Sequence, residues 1–168
     1  MLFYHPAFDG YHAAFRMLQM LSASKKQQYE RETLRILDFY LVFPQLIADV
    51  RLPKALQGQK RAFSGLINKY HFSGSPRTVF MQMAPLHDMA LRLLVSKRLV
   101  ELDKLLNGVV LRSDIPLPKQ LDAAIRNKAG GRTELLTFIV NEVGSIPLHG
   151  EDGLKARTSL MDYRYDTT

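Results

Sequence analysis

Met89-Ala90-Leu91-Arg92-Leu93-Leu94-Val95-Ser96-Lys97-Arg98-Leu99-Val100-Glu101-Leu102-Asp103-Lys104-Leu105-Leu106-Asn107-Gly108-Val109-Val110-Leu111-Arg112 is the stretch that decides the fold. Met89, Ala90, Leu93 and Leu94 fall along one face of a helix that Pro85 can open. After the basic Ser96-Lys97-Arg98 come two short apolar runs, Leu99-Val100-Glu101-Leu102 and Val109-Val110-Leu111-Arg112. They flank Asn107-Gly108, a strong turn signal between two strand candidates. A helix, a basic connection and a hairpin is the chain order of a winged helix-turn-helix; a generic helix-plus-hairpin α+β domain shows the same pattern. In the winged-helix reading Arg92, Lys97 and Arg98 face DNA phosphates or an acidic partner, with Lys104 on the wing. No cluster of Arg, Asn or Gln stands out as a base reader, and winged helices also serve as protein-docking modules.

Working outward, Asp9 can cap a helix whose apolar stripe is Tyr11, Ala14, Phe15, Leu18 and Leu21. A second helix carries Leu34, Ile36, Leu37, Tyr40 and Leu41 up to Pro44, where the chain must bend. Phe39 to Phe43 is apolar all round and predicts burial on every side. Pro53 opens a further helix, and His71-Phe72-Ser73-Gly74-Ser75-Pro76 reads as a loop. Towards the C-terminus, helices are predicted at about Lys119–Lys128 and Thr133–Val143, followed by a turn-rich segment from Gly144 to Thr168. The expected fold is mainly α, or α+β with a small hairpin. Its winged helix-turn-helix-like core carries added N- and C-terminal helices. The expected organisation is a helical arm over 1–28, the winged-helix-like domain over 29–118, and C-terminal helices with a partner-docking tail over 119–168.

The 168 residues suffice for one domain with its own core, and 46% are apolar. The chain has no cysteine, which excludes disulfides and thiolate metal sites. No run reaches the ~18 apolar residues of a membrane-spanning helix. The N-terminus lacks the pattern of a signal peptide, so the expected location is the cytoplasm. The formal charge is +7. It is unevenly placed: between Val50 and His87 there is no acidic residue, while Arg51, Lys54, Lys60, Arg61, Lys69 and Arg77 fall inside that window. Such a window is a solvated basic face or a contact for phosphates or an acidic partner.

Catalytic chemistry is not visible. The five histidines are scattered, with no pair at the helical spacing of a zinc site. No phosphate-binding glycine loop or nucleophile elbow occurs. Glu101-Leu102-Asp103-Lys104 gathers two carboxylates and a lysine, but a solvated turn explains it better than a metal-dependent nuclease. No cofactor and no metal are expected.

The ends of the chain carry a more specific pattern. Phe3-Tyr4-His5-Pro6-Ala7-Phe8-Asp9, Tyr11-His12-Ala13-Ala14-Phe15-Arg16, Leu34 through Pro44, and Gly153 through Asp166 together resemble the middle component of bacterial three-component ABC-ATPase systems of the Lamassu type. The resemblance implies an accessory subunit of an anti-phage and anti-plasmid defence complex. Its partners would be an SMC-like ABC ATPase and an effector nuclease, with DNA reached through the complex. The tail residues Lys155, Arg157, Met161, Tyr163, Arg164 and Tyr165 would then contact a partner, since interfaces are enriched in Tyr, Met and Arg. The rival readings are a winged-helix transcriptional regulator and an inhibitory partner of a nuclease.

Overall fold

The computed structural model describes residues 8–66, 74–127 and 132–164. Helix α1 (Gly10–Ala23) starts at Asp9, whose Oδ1 accepts from the backbone N–H groups of Tyr11 and His12 at 2.8 and 3.1 Å. That cap satisfies two donors that a helix start leaves without intrahelical partners. The chain then forms a short strand β1 (Gln28–Glu30) and turns directly into α2 (Arg31–Val42). Ten residues of α2, Thr33 to Val42, are buried, so this helix runs through the middle of the core. Pro44 ends it as expected, and a 3₁₀ segment over Pro44–Asp49 leads to α3 (Gln57–Ser64). Helix α4 (Pro76–Gln82) has Ser75 as its cap and Pro76 at its first position.

Helix α5 (Ala84–Ser96) packs lengthwise against α1. Their approach is close: a β-carbon on Gly10 would lie 1.9 Å from the Met89 methyl carbon. After α5 come a short helix α6 (Leu102–Leu106) and strand β2 (Val109–Leu111). Strand β2 pairs antiparallel with β1, setting Gln28 opposite Leu111, Tyr29 opposite Val110 and Glu30 opposite Val109. On its other side an isolated bridge joins Val100 to Arg112. The C-terminal part adds α7 (Lys119–Arg126), α8 (Thr133–Thr137), a π-helical turn over Phe138–Glu142 and α9 (Leu154–Thr158).

The mainly helical fold with one small antiparallel strand pair agrees with the sequence reading; the hairpin itself is built differently. Of the expected strand Leu99–Leu102, only Val100 pairs, and Leu102 already begins α6. Leu102, Leu105 and Leu106 have helical rather than alternating spacing, and this decides the local structure. Asn107 sits at φ −95° and Gly108 at φ +80°. A two-residue type I′ hairpin needs positive φ at both central residues, so Gly108 acts here as the stop after a helix. The longer partner of β2 comes instead from Gln28–Glu30, about 80 residues earlier. Helix α1, read from the sequence as part of an arm, lies in the same core as α2 and α5, which includes Ala13, Met17, Leu37, Phe39, Ile139 and Leu160.

Candidate interaction surfaces

The deepest polar feature is a charge network inside the helical core. Asp38 on α2 is fully buried, and its carboxylate takes two bonds from Arg16 on α1, from Nε at 2.6 Å and Nη2 at 2.9 Å. His87 on α5, also fully buried, places Nε2 2.9 Å from Asp38 Oδ2. Arg35 Nε donates to His87 Nδ1 at 3.4 Å; a guanidinium can only donate, so Nδ1 is the acceptor and Nε2 carries the proton given to Asp38. Arg35 itself is held by Glu32 at 2.6 Å and lies 5.0 Å over the Phe80 ring. Burial alone raises the Asp38 pKa, but the adjoining Arg16 charge and the bonds from Arg16 and His87 outweigh it and bring it down to about 2. Every member has a partner, and Asp38 and His87 are both shut off from solvent. The network ties α1, α2 and α5 together and is structural.

Sequence reasoning missed this group. The signal was Asp38 itself, a carboxylate amid the apolar run of α2, because such a charge is tolerated only when paired. A second buried anchor is Tyr29, whose hydroxyl donates to the Val140 carbonyl at 2.9 Å within the π-helical turn. Burial raises the Tyr29 pKa, partly offset by a hydrogen bond with Ser24, which keeps the hydroxyl a donor.

The basic window and the C-terminal segment, read separately in the sequence, meet in the fold. Arg51 Nη2 donates to the Ala156 carbonyl at 2.5 Å, and the Arg51 backbone N–H donates to the Arg157 carbonyl at 3.2 Å. In return, Arg157 Nη1 donates to the Arg51 carbonyl at 2.5 Å, while its Nε and Nη2 hold Asp152 at 2.5 and 2.9 Å. The two guanidiniums thus form a reciprocal clamp through backbone carbonyls. Lys60 Nζ donates to the Val50 carbonyl at 2.7 Å, and Arg77 pairs with Asp162 at 3.0 Å. Leu154, Ala156 and Leu160 are buried beneath this clamp, Lys155 is buried with them, and Met161 packs against the core. Gly153 is required there, because a β-carbon would lie 2.3 Å from the His149 carbonyl oxygen.

The remaining candidates separate cleanly. Lys54, Arg61 and Arg164 are exposed and Tyr163 is half-buried, whereas Lys69 and Tyr165 lie outside the described residues. Arg92 on α5, Lys97 and Arg98 just after it, and Lys104 on α6 are all exposed. Among the described residues no carboxylate pairs with any of these four. Also among the described residues, no group of three or more His, Asp or Glu side chains is placed to hold a metal ion, and no helix is long and apolar enough to cross a membrane.

The chain matches, over residues 2–166, the family model of the ABC-three component (ABC-3C) system Middle Component 5, and it belongs to that family. No curated protein and no solved structure matches it.

Proposed function

We propose that this ABC-3C middle component is a non-enzymatic accessory subunit that bridges an SMC-like ABC ATPase and an effector nuclease in a Lamassu-type prokaryotic defence complex, with DNA reached through the assembly. Family membership across nearly the whole chain carries this reading. A system of three components leaves the middle one to be defined by what it binds, and the polar residues of this fold are consistent with that. Asp38, His87, Arg16 and Arg35 are committed to one another in the core. Arg51 and Arg157 are committed to the C-terminal clamp. In the tail the proposed partner contacts are the half-buried Tyr163 and the exposed Arg164, and in the basic window the proposed polyanion contacts are Lys54 and Arg61, both exposed.

The test is co-expression of the full chain with the other two components. Retention of both on affinity-tagged middle component is expected; loss of both after mild washing would overturn the reading. Charge reversal at Lys54 and Arg61 should weaken DNA association of the assembled complex, with a steep salt dependence.

One observation keeps a second reading, a winged-helix DNA-binding regulator, alongside the first. With the segment that carries α3 and α4 set aside as an insertion, the order α1, β1, α2, α5, the Val100 bridge and β2 parallels that of a winged helix, with residues 101–108, which include α6, in the place of the wing. Fold analogy of this kind fits docking on an ATPase and equally fits a DNA-binding regulator. A regulator requires a homodimer with half-sites about one helical turn apart. Size-exclusion chromatography with a gel shift on random and operator DNA separates the two readings.

A further inference from the structure

We infer that the face formed by α5 and α6 docks an amphipathic, acid-flanked helix of a partner chain. The inference deepens the accessory-subunit reading and rests on it. Helix α6 has three leucines in five residues, yet only Leu105 packs against the core. Leu102 and Leu106, one helical turn apart, are 52% and 76% exposed. They do not stand alone. Leu106 and Leu105 share a cleft with Leu91, Arg92 and the Arg31–Asp88 ion pair. Further up α5, Met89 is 47% exposed. Scattered single apolar residues need no explanation; an exposed leucine lining an interhelical cleft, with a second exposed leucine one turn away on the same helix, does.

The charges around this face say what covers it. Arg92 lines the cleft with Leu106, Lys104 lies between the two leucines on α6, and Lys97 and Arg98 follow α5 exposed, while Glu101 and Asp103 offset only part of the charge of these four. Asp88 is already held by Arg31. The face is therefore apolar at its centre and cationic at its rim, and its complement is an apolar ridge flanked by carboxylates. Two helices walling a cleft fit a third helix better than an extended strand, whose recognition needs an open sheet edge. A second copy of this chain fits badly, because a two-fold contact would set the same cations against themselves. Duplex DNA fits the rim but gives no reason for leucines at the centre, since α5 exposes Pro85, Met89, Arg92 and Ser96 and so only one side chain of the base-reading kind.

The chain has no cysteine of its own, so Leu106→Cys labelled with a benzophenone gives a single photo-crosslinking position. In the complex with the other two components, the crosslink is expected on a helical segment of one of them that carries Asp or Glu beside its apolar ridge. A crosslink to DNA, to a second copy, or to a segment without carboxylates overturns the inference. Leu102→Glu with Leu106→Glu should reduce retention of that component by at least about tenfold, as for the central residues of an interface. The variant's thermal unfolding should remain that of the parent, because both side chains are exposed. If the double variant loses stability, Leu106→Gln and Arg92→Glu with Lys104→Glu provide the same reading at lower perturbation. Undiminished retention by folded variants overturns the docking face and leaves the accessory-subunit reading standing. Failure of the parent chain to retain either component overturns both.

Discussion

Two basic regions of similar sequence character have opposite fates in this fold. The cations at 51–77 lie largely against the protein itself: Arg51 and Lys60 on backbone carbonyls, Arg77 on Asp162. Those at 92–104 have no carboxylate partner among the described residues, and Arg92 shares a cleft with the exposed Leu106. Counting charges along the chain makes the first region the stronger interaction candidate. The fold reverses that order, because a cation already bonded to carbonyls must be released before it can serve a partner. Engaged and unengaged cations therefore make different predictions, one for stability and the other for association.

The largest expected effect is at the most deeply engaged charge. Asp38→Ala takes from the buried Arg16 and His87 the carboxylate they share, which should cost about 3–5 kcal/mol in denaturant unfolding. An effect below about 1 kcal/mol would break the distinction at its strongest point. The same group predicts an acid limb. The folded pKa of Asp38 is depressed from 3.8 to about 2, so its stabilisation is complete above pH 4 and is lost as pH falls towards 2. That limb amounts to roughly 2 kcal/mol and should flatten in Asp38→Asn when unfolding is followed across this range.

Next in size is the clamp. Arg157→Ala should lower stability by about 1–3 kcal/mol, since charged hydrogen bonds to the Arg51 and Asp152 carbonyls are lost together. Combined with Arg51→Ala, the loss should fall short of the sum of the single effects, because both residues close one junction. Strict additivity would show that the two sides of the clamp act independently. Arg77→Ala should cost less, within about 1 kcal/mol and fading with salt, because the Asp162 pair is exposed. Smallest of all, Arg92→Ala and Lys104→Ala should leave unfolding within about 0.5 kcal/mol of the parent. A larger loss would move them into the engaged class and sharpen the boundary between the two regions.

Much of the local structure was legible. Asp9 as a cap, the burial of Phe39 to Phe43 and the bend at Pro44 each depend on residues within one turn of themselves. What could not be read depends on distance. Gln28-Tyr29-Glu30 looks like the end of a polar run, and only the presence of β2 beside it makes a strand. Asp38 announces a buried partner but not which of many arginines and histidines supplies it. The clamp is harder still: Arg51 and Arg157 bind carbonyls, which every residue carries, so the sequence holds no mark of the acceptor. The docking face was half visible. Arg92, Lys97, Arg98 and Lys104 carry charges that the sequence already marks as contacts, whereas Leu102 reads as the end of a strand and nothing in the sequence singles out Leu106.

The pairing of β1 with β2 also bears on how the chain reaches its native state. Tyr29 cannot meet Val110 until some eighty further residues have been made, and Arg51 waits longer still for Arg157. Closing loops of that length carries an entropic penalty that local helix formation does not offset, and contacts of high sequence separation slow folding. The helices are therefore expected to form early, with the strand pair and then the C-terminal clamp following them. During that interval Tyr29, Val110 and the inner face of α2 remain open to water. A subunit built this way has a window in which its assembly partners, or a chaperone, meet it before it has finished folding.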